Sequence, residues 1–294
     1  MSLLPTLNWD APAVRRLNQD DGPRLLRFLQ QQPSLYAFGL GWLNERNVVP
    51  LDPNDRFQFI GAFRGQELVG VSLVVGAGTV SLNTDDPAAA HALGSWVRRT
   101  GGAVAHLIGP LEPVRRFWRA FSPGAANRAH VREQVLFELR SRDLRYFPEP
   151  MLQVATPDDL DDVYHLSLMM LAEEHGRALS SDEASGYRHN LLARIHAGRV
   201  YVLHDPFTGD CIFKASIAAS SPQVAQIEGV FVVPAHRGQG VARRALSEMI
   251  RQSLFWSERV TLYTDADNQS ALRLYRRLGF RQLGDYATLV AELH

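Results

Sequence analysis

The stretch "VFVVPAHRGQGVARRAL", residues 230–246, runs from an unbroken apolar segment through a proline into glycines around an arginine, then into an amphipathic repeat. Pro234 ends the apolar strand, and Gly238 and Gly240 let the backbone approach a ligand where a Cβ would stand in the way. A helix opens at once. Val241, Ala242, Ala245, Leu246, Met249 and Ile250 recur at helical spacing, with Arg243, Arg244, Ser247, Glu248 and Arg251 on the other side. The first turn of such a helix carries N–H groups without intrahelical acceptors and the positive end of its dipole, which together suit a phosphate or pyrophosphate. Arg237 adds a formal charge. A P-loop would need a Gly-Lys-Ser/Thr ending, and a dinucleotide fold a third glycine where Arg243 stands. Neither pattern is met.

Working outward, 294 residues at roughly 150 per domain suggest two domains, and 46% hydrophobic content is enough to build their cores. Two prolines in "RYFPEPMLQV" (145–154) mark a boundary, giving domains at 1–148 and 149–294. The two sides read alike. "VRRLNQDDGPRLLRFLQQ" (14–31) and "LQVATPDDLDDVYHLSLMM" (152–170) are each a short strand, an acidic helix start and an amphipathic helix. Residues 57–82 and 199–233 each read as strand, turn, strand, turn, strand. "AAAHALGSWVRR" and "GVARRALSEMIRQSLF" follow as helices, "AVAHLIG" and "RVTLYT" as strands, "PVRRFWRAF" and "NQSALRLYRRLGF" as helices, and "QVLFELR" and "ATLVAEL" as strands. This order implies two copies of one mixed α/β unit.

Composition narrows the function classes. Basic and acidic residues balance at 31 each, so no global field attracts nucleic acid or an anionic membrane. The start "MSLLPTLNWDAPAVRRL" lacks a leader pattern, and no run nears the roughly 18 apolar residues that span a bilayer, so the chain reads as cytoplasmic. A single cysteine, Cys211, can form no internal disulfide or cysteine-built metal site, and no base motif accompanies it as a nucleophile. The histidines show no ligand spacing such as His-Glu-X-X-His, and "EEHG" (173–176) is not one, so no metal is expected.

The opening turn resembles the acetyl-CoA signature of the GNAT superfamily of N-acetyltransferases, Gln/Arg-X-X-Gly-X-Gly/Ala, through Arg237, Gly240 and Ala242 after "VFVVP". A second stretch, "TDADNQSALRLYRRLGFRQLG" (264–284), resembles the later motif Asn-X-X-Ala-X-X-Leu-Tyr-X-X-Leu-Gly-Phe. It does so through Asn268, Ala271, Leu274, Tyr275, Leu278, Gly279 and Phe280. The resemblance spans residues 152–294 and implies two tandem units, each a mostly antiparallel mixed sheet flanked by helices. In the superfamily the strand before the signature splays from its neighbour and the pantetheine arm lies in the gap. Phe231, Val232 and Val233 occupy that place here, and Gly238, Gln239, Gly240, Val241 and Ala242 the pyrophosphate turn.

The implied reaction is direct transfer of acetyl from acetyl-CoA to a primary amine in a ternary complex. An amine of pKa about 10.4 is neutral in about one molecule in 2,500 at pH 7, so a base or a water path is required. Glu228, a lone carboxylate in an apolar strand, is the best candidate, against a reading as a solvent-facing strand end. Tyr275 matches the superfamily's usual general acid, although Ala271, Leu274, Tyr275 and Leu278 also form a core stripe at i, i+3, i+4 and i+7. Asn268 either bonds the donor or caps a helix. Glu173 and Glu174 either draw a cationic acceptor or form a solvated helix end, and Lys214 faces either the acceptor cleft or bulk water.

The first half lacks the signature and places Asp85 and Asp86 where a pyrophosphate would lie. It reads as a half that has lost cofactor binding, a plan shared with tandem acetyltransferases such as the mycothiol synthases. The acceptor is a small-molecule or protein amine, and the chain a monomer or homodimer. Two other classes remain open: a catalytically silent acyl-CoA-binding or interaction module, and a tRNA-dependent aminoacyl transferase, which the absence of a basic excess disfavours.

Overall fold

Alternating apolar residues in "FQFIGAFR" and "ELVGVSLVV", and in their second-half counterparts, form the strands that their period predicts. The computed structural model describes residues 11–46, 57–76, 78–124, 129–175 and 181–291. Residues 1–10, read above for a leader, Ala77 in a first-half turn and Gly176 of "EEHG" lie outside them. The first half runs β1 (Ala13–Arg16), α1 (Gly22–Leu29), α2 (Ala37–Arg46), β2 (Phe57–Arg64), β3 (Glu67–Val75), β4 (Thr79–Asn83), α3 (Pro87–Arg99), β5 (His106–Pro110), α4 (Leu111–Phe121) and β6 (Ala129–Arg140). The second runs β7 (Gln153–Val154), α5 (Leu160–His175), α6 (Ser181–His196), β8 (Val200–His204), β9 (Cys211–Ser220), β10 (Ala225–Val232), α7 (Val241–Ser253), β11 (Arg259–Asp265), α8 (Gln269–Leu278) and β12 (Arg281–Ala291).

The acidic helix starts read in both halves are the same device. Asn18 with Asp21, and Thr156 with Asp159, each form a capping box in the short helical turn that leads into α1 and α5. Helices α2 and α6 have no counterpart in the sequence reading. Gly39 and Gly41 weaken the helical signal of "AFGLGWLNER", and the first half of α6 is polar, with Leu191 and Ile195 buried only near its end.

The chain forms two compact units. Unit 1 takes residues up to Leu136 together with Tyr263–Asp267 and the segment from Leu283, and unit 2 takes Phe137–Leu262 and Asn268–Gln282. In unit 1, β1 to β4 are antiparallel neighbours, β5 joins β4 in parallel, and β12 pairs β5 antiparallel from Tyr286↔Pro110 to Val290↔His106. Helices α3 and α4 cover one face, where Leu93, Val97 and Phe117 pack with Ile60, Leu82, Leu107 and Leu289. Gly94 lets the two helices touch, since a Cβ there would come 2.2 Å from the Phe117 carbonyl oxygen.

In unit 2, β7 to β10 are antiparallel and β11 joins β10 in parallel. Val163, Leu166, Leu191 and Ile195 of α5 and α6 pack with Val200, Val202 and Phe231. Helix α7 buries Val241, Ala245, Leu246, Met249 and Ile250 as its stripe predicts, with Ala242 half-buried. Ser247 and Glu248, expected on the solvent side, are buried too. The segment read as a boundary lies over them: Phe147 N–H donates to Ser247 Oγ (2.8 Å), whose hydroxyl donates to Phe147 O (2.6 Å), and Tyr146 donates to Glu248 (2.5 Å). The Arg251 guanidinium, at 2.6 Å, the Tyr146 hydroxyl and the Gln252 side-chain amide (3.1 Å) hold the Glu248 carboxyl down at about 2. Among the described residues no helix is long and apolar enough to cross a membrane.

Candidate functional site

The site is built on an irregularity in β10. Glu228 pairs with Ser216 and Phe231 with Lys214, so three steps along β10 match two along β9, and the register shifts between them. The extra residue is a β-bulge, and Gly229 adopts the left-handed φ of 62° that such a bulge asks of glycine. The bulge turns Glu228 and Phe231 to the same face of the sheet. It also coincides with a parting of strands. β10 pairs β11 only at Ala225↔Val260 and Gln226↔Thr261, which leaves Ile227–Val232 without a β11 partner on that edge.

Beyond the strand, Pro234–His236 makes one helical turn, and Gly238 (φ 76°) and Gly240 (φ 78°) carry the chain into α7. Gly240 is the N-cap of α7, and no side chain caps the first turn. The N–H groups of that turn and the dipole end are therefore open to an anion. Val241 is buried and Ala242 half-buried. Gln239 is exposed and its side-chain amide donates to Ala235 O (3.0 Å).

Arg237 sits above the end of β10. Its Nε donates to Val232 O (3.0 Å), its guanidinium lies 5.2 Å from the Phe231 ring centroid, and it donates to both carboxylate oxygens of Glu173 at 2.9 and 3.0 Å. Glu173 is thus brought to the arginine of the turn. Asn268 caps α8: its Oδ1 accepts from Ala271 N (3.1 Å) and Ser270 Oγ (2.8 Å), leaving its amide N–H groups for other use. Tyr275 is buried between Phe137 and Phe280, with ring centroids at 5.8 and 5.7 Å, and burial pushes its phenol well above the ordinary value.

Residues 157–280 match the family model described as acetyltransferase (GNAT) family. This region is similar to a GNAT domain. Solved structures share the fold across both halves: a Drosophila protein (15% identical, 95% of this chain and 98% of that one, TM-score 0.69) and a GCN5-related N-acetyltransferase from Sphaerobacter thermophilus (17%, 95% of each, 0.59). A tandem GNAT protein from the clavulanic acid biosynthesis pathway (16%, 95% and 98%, 0.51) is consistent with the tandem, mixed α/β organisation. An uncharacterised protein of Mycobacterium leprae is 37% identical over 59 residues, a stretch that covers 20% of this chain and 16% of that relative.

In the matched region, Glu228 is paired with Arg194 of α6, and Arg194 also donates to Ile217 O (3.3 Å). Tyr187, half-buried beside Tyr164, is hydrogen-bonded to Ser167 on the same side of the sheet, and burial raises its pKa. Arg194 and Tyr187 escape a sequence reading because α6 itself does. Gly229 carries a usable signal, since a glycine inside an apolar strand marks a bulge. Lys214 faces the interior rather than bulk water, at 3% exposure. Glu174 is exposed, close enough for its charge to act on Lys214, Tyr187 and Tyr275. Cys211 is buried with its thiol pushed up to about 12 by desolvation, far from a reactive thiolate. Among the described residues no group of three or more His, Cys, Asp or Glu could hold a metal ion.

Proposed function

We propose that unit 2 transfers an acetyl group from acetyl-CoA to a primary amine in a ternary complex, and that the chain binds one donor molecule. The observation that carries the reading is the coincidence, on one strand, of the bulge at Gly229, the unpaired edge after Gln226 and the uncapped start of α7. A long donor with a pyrophosphate at one end and a thioester at the other fits that sequence of features. The N–H groups of the α7 turn, Gly238, Gly240 and Arg237 would hold the pyrophosphate, with Glu173 giving up its hold on Arg237 as the anion arrives. The backbone of Phe231 and Val232 on the edge that β11 leaves would bond the pantetheine arm, whereas Val233 already donates to Ile212 O (3.1 Å) and accepts from His236 N–H (3.0 Å).

Bound acetyl-CoA supplies an activated acyl thioester. Glu228 then takes the acceptor's proton, directly or through water, from a side chain still 39% exposed. The bulge at Gly229 would offer backbone N–H to the negative charge that develops on the acyl oxygen. Tyr275, a phenol made less acidic by burial, serves the departing sulfur as a hydrogen-bond donor rather than by full proton transfer. The test is calorimetry with acetyl-CoA and CoA, followed by thiol release over a panel of amines. One site per chain and amine-dependent thiol release support the reading. Two sites, or tight donor binding with no acceptor turned over, would overturn it.

A further inference from the structure

The acceptor side of the same site holds a buried cation that the transfer reading leaves unused. Lys214, the sole lysine of the chain, is 3% exposed in the middle of β9. Among the described residues its hydrogen-bond partner is the Met170 thioether, with Nζ to Sδ 3.7 Å. A thioether is a weak acceptor, and an ammonium taken out of water without an oxygen partner is unstable there. Burial accordingly lowers its pKa to about 8, with the Glu228 and Glu174 carboxylates and Cys211 acting in the opposite sense and Arg194 in the same sense. The matching face of unit 1 carries fully buried Val71 and Leu73 on β3, so packing alone does not call for a charge.

The register supplies the geometry. Lys214 and Ser216 stand two residues apart on β9, opposite Phe231 and Glu228, so the ammonium and the Glu228 carboxylate project from one face at positions roughly 7 Å apart. Gly229, partly exposed, lies between them; a Cβ there would stand 3.4 Å from Nζ, and glycine leaves that approach open. A molecule with an amine at one end and a carboxylate at the other would meet Glu228 with the first and Lys214 with the second. A polyamine would instead bring a second positive charge against Lys214 and Arg194.

We propose that Lys214 anchors a carboxylate of the acceptor, making the preferred acceptor an amino acid or a similar small amino-carboxylate. This rests on the acetyltransferase reading of the site. The single lysine makes the test direct, because protein labelled with [13Cε]-lysine gives one side-chain resonance. With CoA present, that resonance is titrated against pH with free proteinogenic amino acids and with their carboxamides. At least one amino acid should raise the Lys214 pKa by a unit or more while its carboxamide leaves it unmoved, since a carboxylate partner favours the charged form. In thiol-release assays, kcat/KM for that amino acid should exceed that for its carboxamide by about 10²-fold or more, and the ratio should collapse towards one in Lys214→Met. An unmoved resonance across the whole panel, or a preference that survives in Lys214→Met, would overturn the proposal. If no amine is acetylated, the transfer reading fails, while the lysine resonance still decides whether a carboxylate binds.

Discussion

Helices α3 and α7 follow the third long strand of their respective units, yet they begin in opposite ways. Asp86 caps α3 with its own side chain, Oδ1 accepting from Ala88 N (2.8 Å) and Ala89 N (3.2 Å), and Arg64 balances its charge at 2.7 Å. Gly240 caps α7 with no side chain at all. The strands differ likewise. β4 stays on β5 from Thr79↔His106 to Ser81↔Ile108, and a Cβ on Gly109 would come 2.7 Å from Leu82 O, so the backbones remain closed together beyond the last pair. β10 leaves β11 after Gln226. One fold thus carries a helix start filled by a built-in carboxylate beside a closed ladder, and a helix start left open beside a parted one. A helix start capped by its own carboxylate repels an anion that an uncapped one would attract.

The largest test grafts one helix start onto the other. Gly240→Asp puts a carboxylate at the start of α7, at a left-handed φ of 78° rather than in the extended backbone of Asp86, and acetyl-CoA affinity by calorimetry should fall by about 10³-fold, equivalent to about 4 kcal/mol. Retained affinity would remove the helix start from the donor site. Tyr275→Phe keeps the ring packed between Phe137 and Phe280 and should lower kcat by about 10² to 10³ with donor affinity unchanged. Full turnover, with thiol release still limiting, would return Tyr275 to the core stripe alone.

Smaller effects probe stability. Lys214→Met gives β9 the apolar face that β3 has, and at pH 7 should stabilise unit 2 by about 1–3 kcal/mol. The folded-state pKa is the lower one, so the unfolded chain binds more protons between about 8 and about 10.4. Wild-type stability therefore rises with pH across that window, and the mutant's advantage should fade above it in thermal melts. Asp86→Gly should cost only about 0.3 kcal/mol through loss of the cap and create no second donor site, because β4 and β5 remain closed. A stoichiometry of two in that variant would show that the carboxylate alone, rather than the ladder, silences α3.

Much of this contrast was legible in the sequence. The strand period, the paired acidic helix starts and the glycines at 238 and 240 are local signals, and each has its place in the structure. What escaped depends on contacts between distant segments. Alternation places Lys214 and Ser216 on one face of β9 but says nothing of what covers that face, and α5 and α6 do. Ser247 and Glu248 look solvent-facing until residues 146–147 are laid over them. The Arg237–Glu173 pair joins a turn and a helix end that no spacing rule connects.

The membership of β12 bears on how the molecule is made. Residues 286–290 complete the pairing of β5, which leaves the ribosome long before them, and Ala291 N–H donates to Ala105 O. The edge of β5 that β12 covers stays bare while the whole second half is synthesised, a template for mispairing in the nascent chain. Cutting the gene near codon 149 would likewise give a first fragment lacking its β12 partner and a second ending in an orphaned strand. Separate expression of the halves should be attempted only with β12 supplied to the first, for instance by circular permutation.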